Sequence, residues 1–414
     1  MLDFLIKNAR VYGIEGLKDI GIRDGKIAKV DSSIVEESKQ IIYANGKLTI
    51  PSFIEPHIHL DKVMILETIP PNETGTLFEA IELTWNRKRR YTVEDIVERA
   101  SRVVRSAVRK GIAFIRTHVD VDPIGGLMPL KGVLELRERF KDIVDIQIVA
   151  FPQEGIIKSP GTEELLYQAM EMGADVVGGM PANEDRPYDS ERHIEILFEI
   201  AKKYNADIDM HVDETDDPCS RTLEMLADKT IDEGYQGRVT AGHTCALAAY
   251  PDDYAEKVME KVKKAGIHMI TNPCTNLCLQ GRLDKHPKRR GLTRVKELWK
   301  MGVNVAYGQD CVKDAFYPFG NNDLLQVGVV LCYAAHMTLP DEIKAVFEMD
   351  IFNAAKIVGL KRHRIEEGGD ADIVILDCED HLEALRLQPP RLYVIRKGKI
   401  VARETCVGEI FRAS

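Results

Sequence analysis

Eight times between residues 48 and 312, an apolar run rich in β-branched residues precedes turn residues and then a charged stretch of helical period. The runs cover 48–60, 113–122, 145–155, 174–181, 206–215, 237–246, 268–274 and 304–312. Segments between them, such as 93–110 and 190–204, carry the helical spacing. Continuous rather than alternating apolar runs mark strands covered on both faces. Eight such strands interleaved with helices predict an α/β fold of the (β/α)₈ TIM-barrel type over residues 51–361. A doubly wound sheet would need a switch point, and no glycine-rich phosphate loop marks one.

The two ends read differently. Residues 3–12 and 19–30 are short strand-like runs, the second broken by the turn pair Asp24-Gly25. Residues 370–377 and 392–403 mirror them, with Gly398 at a turn. They predict a small β-sandwich domain built from both chain termini, residues 1–50 plus 362–414. The net charge of −10 disfavours a nucleic-acid partner, because an acidic surface repels phosphate. The local basic runs Arg87-Lys88-Arg89-Arg90 and Lys288-Arg289-Arg290 are expected to be solvated. No stretch has the length and apolarity of a membrane span. The eight cysteines are scattered and no secretory signal precedes them, so reduced thiols and a cytoplasmic location are expected.

In a barrel, polar residues at the C-terminal ends of the strands line the active site. Here those ends are rich in metal-binding side chains. The first run ends in His57-Ile58-His59, whose spacing of two puts both imidazoles on one face. Later runs end in His118 and Asp120, Gln153 and Glu154, His211 with Asp213 and Glu214, His243, and Asp310. Five of the eleven histidines therefore fall on one predicted rim. Of the remainder, His268 starts a strand and reads as structural, and His193, His286, His336, His363 and His381 fall in helices or loops. His118 fits either a hydrogen-bonded core histidine or a site residue.

Three imidazoles, His57, His59 and His211, with the carboxylate of Asp310, suit one Zn²⁺ or Fe²⁺. Such an ion lowers the pKa of water toward neutrality and so provides a nucleophile. Glu214, three residues past His211, is placed to move protons. His243 is better suited to holding the attacking water or stabilising charge than to ligation.

At these residues the sequence resembles the amidohydrolase superfamily, in its cytosine deaminase branch. The matching text is PSFIEPHIHLD (51–61), GTLFE (75–79), RTHVDV (116–121), DIQIVAFPQEG (145–155), GADVVG (173–178), HVDETDD (211–217), GHT (242–244) and the run 281–297 containing KRRGLTRVKE. The resemblance spans nearly the whole chain, with the motifs in order. It implies a single ion, iron or zinc, held by His57, His59, His211 and Asp310. It implies Glu214 as proton shuttle and His243 as catalytic histidine. It further implies Gln153 reading the amide edge of a pyrimidine, and Leu77 and Phe316 as apolar pocket walls. Its expected partner is a small nitrogen heterocycle, its reaction the release of ammonia from cytosine or a 5-substituted cytosine, and its assembly a homo-oligomer.

One departure bears on the substrate. Where the branch carries His-Asp-Asp after the eighth strand, this chain carries Gln309-Asp310-Cys311. The ligand is kept, and the next carboxylate, which in the family contacts the ring near its 5-substituent, is lost. Two readings stay open: a neutral replacement in a cytosine deaminase, or room for the methyl of 5-methylcytosine. Related enzymes act on creatinine, isocytosine and pterins, and a sister branch removes alkylamino groups from triazines. The zinc deaminases of the other fold use His-X-Glu with Pro-Cys-X-X-Cys. Here His193-Ile194-Glu195 and His381-Leu382-Glu383 match the tripeptide, but Pro273-Cys274 and Cys278 are spaced one residue too far. Two-metal relatives place a lysine at the end of strand four, where this chain has Gly178-Gly179-Met180-Pro181. A barrel decayed into a scaffold would have lost ligands, and none is missing.

Overall fold

A computed structural model describes residues 1–405. Cys406 and the end of the expected small domain, up to residue 414, lie outside the described residues.

Strands β1 (Leu2–Val11), β2 (Lys18–Arg23), β3 (Lys26–Asp31), β4 (Ser38–Tyr43) and β5 (Leu48–Pro51) open the chain. The barrel strands follow: β6 (Phe53–Ile58), β7 (Ile112–Asp120), β8 (Asp145–Phe151), β9 (Val176–Gly179), β10 (Asp207–Val212), β11 (Val239–His243), β12 (His268–Thr271) and β13 (Val305–Tyr307). Strands β14 (Ile373–Leu376), β15 (Arg391–Arg396) and β16 (Lys399–Ala402) return to the first group. The sheet β6 to β13 is parallel and runs in chain order. Its two edges meet through a parallel bridge between Ile58 and Asp310. The fold is therefore a TIM-type barrel with a small β domain drawn from both ends of the chain.

One strand run needs correcting. Residues 48–60 do not form a single barrel strand. Leu48–Pro51 pairs with β1 and β14 in the small sheet, and only Phe53–Ile58 enters the barrel. Both pieces are fully buried, so apolar patterning alone cannot separate them.

The helices obey local rules. The first two are α1 (Leu77–Lys88) and α2 (Val93–Arg109). In α2, Ile96, Ala100, Val103, Val104 and Ala107 repeat every three or four residues and are buried. The Thr92 hydroxyl caps that helix by accepting from the Asp95 N–H. Helices α3 (Met128–Phe140), α4 (Thr162–Met172), α5 (Pro187–Tyr204), α6 (Thr222–Asp232), α7 (Asp252–Lys264) and α8 (Pro273–Leu279) fill the next crossovers. Among the described residues, no helix is long and apolar enough to cross a membrane.

The small domain is fastened to the N-terminal end of the barrel. Arg391 of β15 donates to the Lys110 carbonyl at 3.1 Å, just ahead of β7. Arg396 pairs with Asp372 and with Asp145, the first residue of β8. The opposite, C-terminal rim is left to the loops that build the site.

The candidate active site

The four expected ligands converge at the barrel's closing seam. Glu55, His57 and His59 alternate along and just past β6 and so face inward together. The His57 carbonyl accepts from the Asp310 N–H at 2.8 Å, and the His59 N–H donates to the Asp310 carbonyl at 3.2 Å. Glu55 braces both sides of this seam. Its Oε1 accepts the His57 N–H at 3.0 Å and the Gln309 N–H at 3.1 Å. Only glycine fits at Gly308, where a Cβ would lie 2.8 Å from the His57 carbonyl oxygen. Gly242 on β11 likewise makes room, since a Cβ there would lie 3.1 Å from His57 Cε1. Asp310 and His243 hold φ of +64° and +66°. Such strained values in non-glycine residues collect where the fold must aim a side chain.

One donor atom from each of His57, His59, His211 and Asp310 lies within 4.8 Å of the others, and all four residues are buried. His59 Nε2 and His211 Nε2 face each other at 3.1 Å. Asp310 Oδ1 is 3.3 Å from His59 Nε2 and 3.6 Å from His57 Nε2. Atoms bound to one ion at about 2.0–2.1 Å stand roughly 3.0–3.4 Å apart. His57 Nε2 is buried and has no hydrogen-bond partner. A set of imidazole nitrogens and one carboxylate, close together and partly orphaned, fits a divalent cation.

Two of the other clusters of potential ligands are already neutralised. In the group His57, His118 and Asp209, Arg116 takes Asp209 Oδ2 at 2.8 Å and His118 Nε2 lies 3.2 Å from Oδ1. His118 thus belongs to a hydrogen-bonded layer beneath the ligands. In the group Asp120, Asp122 and Glu154, the Lys88 ammonium occupies the centre, at 2.7, 2.5 and 3.1 Å from the three carboxylates. Lys88 is fully buried, which corrects its expected place in a solvated basic run; Arg89 and Arg90 beside it are exposed. Among the described residues no cysteine joins such a cluster.

Above the ligands lies a small buried cavity. His59, His211, Asp310, Glu214 and His243 line it together with Gln153, Lys62, Leu77, Cys311 and Phe316. Of the residues given a role in ligation, catalysis or substrate contact, all but His57 line this cavity, whereas His118, Asp120, Glu154 and Asp213 do not. A larger cleft sits between the barrel floor and the small domain, lined by residues such as Ser52, Asp145, His363, Asp372 and Arg396, and holds none of the four ligands. Convergence of chemistry, not size, locates the site.

Burial, reinforced by the negative charge of Asp310, pushes the Glu214 carboxyl well above its ordinary range. Asp310 moves the other way. Burial opposes its charge, but contacts with His57 and His59 outweigh that and hold it well below the usual carboxylate range. Burial pushes His243 down to about 3. Its Nδ1 lies 3.2 Å from Glu214 Oε1 and 2.9 Å from Asn276 Nδ2, while Asn272 Nδ2 lies 3.2 Å from Nε2. Asp213 is spent on structure, accepting from Ser220, Thr222 and Leu223 at the start of α6. Sequence reading missed Glu55, Lys62, Asn272 and Asn276. For Glu55 the signal was present, two positions before His57 on the same face.

The sequence model of the amidohydrolase family matches residues 40–408. The chain belongs to the amidohydrolase family. It is 30% identical to N-isopropylammelide isopropyl amidohydrolase of Pseudomonas sp. strain ADP, over 98% of each chain. It is 31% identical to a pterin deaminase of Rhizobium rhizogenes, over 85% of this chain and 80% of that one. Among solved structures it is similar to 5-methylcytosine deaminase from Klebsiella pneumoniae liganded with 5-fluorocytosine. That match has a TM-score of 0.94 and 38% identity and covers 98% of this chain and 99% of the other. The hydrolases and deaminases of this family act on C–N bonds, and this chain belongs with them.

Proposed function

We propose that this amidohydrolase deaminates 5-methylcytosine and cytosine to thymine and uracil, with release of ammonia, using one divalent ion held by His57, His59, His211 and Asp310. The observation that carries the reading is the lining of one buried cavity. The proton-moving groups Glu214, His243 and Asp310 share it with the amide of Gln153 and with the apolar side chains of Leu77, Met180 and Phe316. Cys311 supports the 5-methyl ring. It is buried in a cluster with Phe316, Ala315, Leu279 and Ile81, against which Leu77 packs. Burial, with Asp310 nearby, pushes its thiol well above the ordinary range, so it stays neutral. A methyl group is favourable in such surroundings, where a carboxylate would lose its hydration. The likeness to 5-methylcytosine deaminase supports the same substrate.

When bound, the ion supplies Lewis acidity that brings the ionisation of water toward neutral pH. The two carboxylates then divide the proton work, because their surroundings push their pKa values apart. Asp310, kept ionised, takes a proton from the attacking water as the C4–O bond forms. Glu214, kept protonated, gives its proton to ring nitrogen N3. Neutral His243 fixes the Glu214 carboxyl and steadies charge at the developing oxygen. Returning protons through Glu214 and Asp310 to the amine lets the C4–N bond break and ammonia leave. Gln153 holds the opposite edge of the ring.

Ammonia release from 5-methylcytosine and cytosine, by enzyme loaded separately with Fe²⁺ and Zn²⁺, tests this. Turnover of both bases, with 5-methylcytosine at least equal to cytosine, is expected. Turnover only of creatinine, isocytosine, a pterin or N-isopropylammelide would overturn it.

A further inference from the structure

We infer that Lys62 sets what the pocket reads: anchored on Asp120, its buried ammonium takes the Gln153 carboxamide oxygen and so leaves the Gln153 N–H groups to face the bound ring, selecting a ring carbonyl. This rests on the reading of the cavity as a site for an aminopyrimidine.

Lys62 follows Asp61 on the loop after β6 and is 1% exposed, yet it lines the cavity. Its Nζ donates to Asp120 Oδ1 at 2.7 Å and to Gln153 Oε1. Burial works against its charge, but Asp120 and Asp61 outweigh that and raise the ammonium above its ordinary range. The rings of Phe151 and Phe316 flank it, their centroids 5.5 and 5.6 Å from Nζ, within cation–π range. The neighbouring carboxylates do not require this lysine as their main partner, because Lys88 already touches Asp120, Asp122 and Glu154. What Lys62 adds is contact with a neutral amide on the cavity wall.

A glutamine amide offers an acceptor at one end and two donors at the other, and a free one can present either. Lys62 removes that freedom. With Oε1 turned to the ammonium, Gln153 is oriented so that Nε2 is its free end, and among the described residues nothing accepts from it. The Gln153 backbone is held too, its carbonyl accepting from Asn183 Nδ2 at 2.7 Å. A ring with a carbonyl at this edge gains a hydrogen bond polarised by the lysine. A ring with an amino group there sets donor against donor and leaves buried polar groups unpaired, which costs more than a lost contact.

Calorimetric binding of two rings without the electrophilic C4 imine, pyridin-2-one and 2-aminopyridine, to the metal-loaded enzyme tests this, with metal content and melting temperature measured alongside. The wild type should favour pyridin-2-one by about tenfold or more. Lys62→Met should bring that ratio close to one. Gln153→Glu keeps a partner for Lys62, and so the fold, but exchanges donor for acceptor and should reverse the preference. No preference in the wild type, or a preference unchanged in both variants, would overturn the inference. Equal weakening of both rings in Lys62→Met, with the preference kept, would reduce Lys62 to a structural role and overturn it too. If the binding ratio holds while neither cytosine nor 5-methylcytosine is turned over, the proposed reaction falls and the reading of Lys62 stands.

Discussion

Glu214 and Asp310 are carboxylates lining one cavity, driven in opposite directions by their neighbours. That contrast makes an acid and a base from the same functional group. Glu214→Gln keeps the shape and removes the proton. Turnover should fall by roughly 10²–10⁴-fold, with metal content unchanged because Glu214 is not in the ligand set. Unchanged turnover would remove Glu214 from the proton path. At this scale the sequence was most legible where strand-end position carries meaning, as at His57, His59, His211, His243 and Asp310. It was least legible where a residue's meaning comes from distant partners. Lys88 sits in a basic run that reads as a solvated helix end. The carboxylates it meets lie 32, 34 and 66 positions further on, at the end of β7 and in the loops after β7 and β8, which no local pattern connects.

At the scale of elements, a histidine assigned no chemistry joins three of them. His193 of α5 accepts the Met180 N–H through Nε2 at 3.2 Å, past the end of β9. Its Nδ1 meets Glu184 Oε1 at 2.7 Å, and Glu184 also accepts the N–H groups of Ile156, Ile157 and Lys158 beyond β8. With Nε2 accepting, the ring is neutral. Burial holds its pKa below the ordinary value, with Glu184 opposing. Below about pH 6.5 the unfolded chain takes up a proton at this histidine that the folded chain does not. Stability should therefore fall as pH drops below about 6.5. Glu184 adds to the loss lower down: burial opposes its charge, but His193 and the backbone donors hold its carboxyl below the ordinary range, so its contribution disappears as pH falls through the carboxylate range. Melting temperatures at pH 7.5 and 5.5 should differ less in His193→Gln, which keeps a donor and an acceptor but does not titrate. Equal differences in variant and wild type would contradict this. The element pattern itself was readable, from eight runs of the right kind in the right order. Its boundaries were not. Run 48–60 hides a change of sheet at Ser52, and in run 304–312 only Val305–Tyr307 is strand, with Asp310 beyond it on an isolated bridge.

In the whole molecule, structure and chemistry are held at opposite ends. The small β domain, its core formed by residues such as Ile20, Ile27, Ile373 and Ile395 from both chain ends, packs under the barrel floor. The loops of the opposite rim carry the groups that recognise and transform a ring. Everything proposed for that rim depends on His57, His59, His211 and Asp310 holding a common ion, although they come from β6, β10 and the segment after β13. The most direct measurement is a crystal structure of metal-loaded protein with anomalous scattering recorded at the absorption edge of iron or zinc. One peak about 2.0–2.3 Å from a donor atom of each of the four residues is expected. A peak among Asp120, Asp122 and Glu154 instead, or an ion bonded to fewer than three of the four, would contradict it.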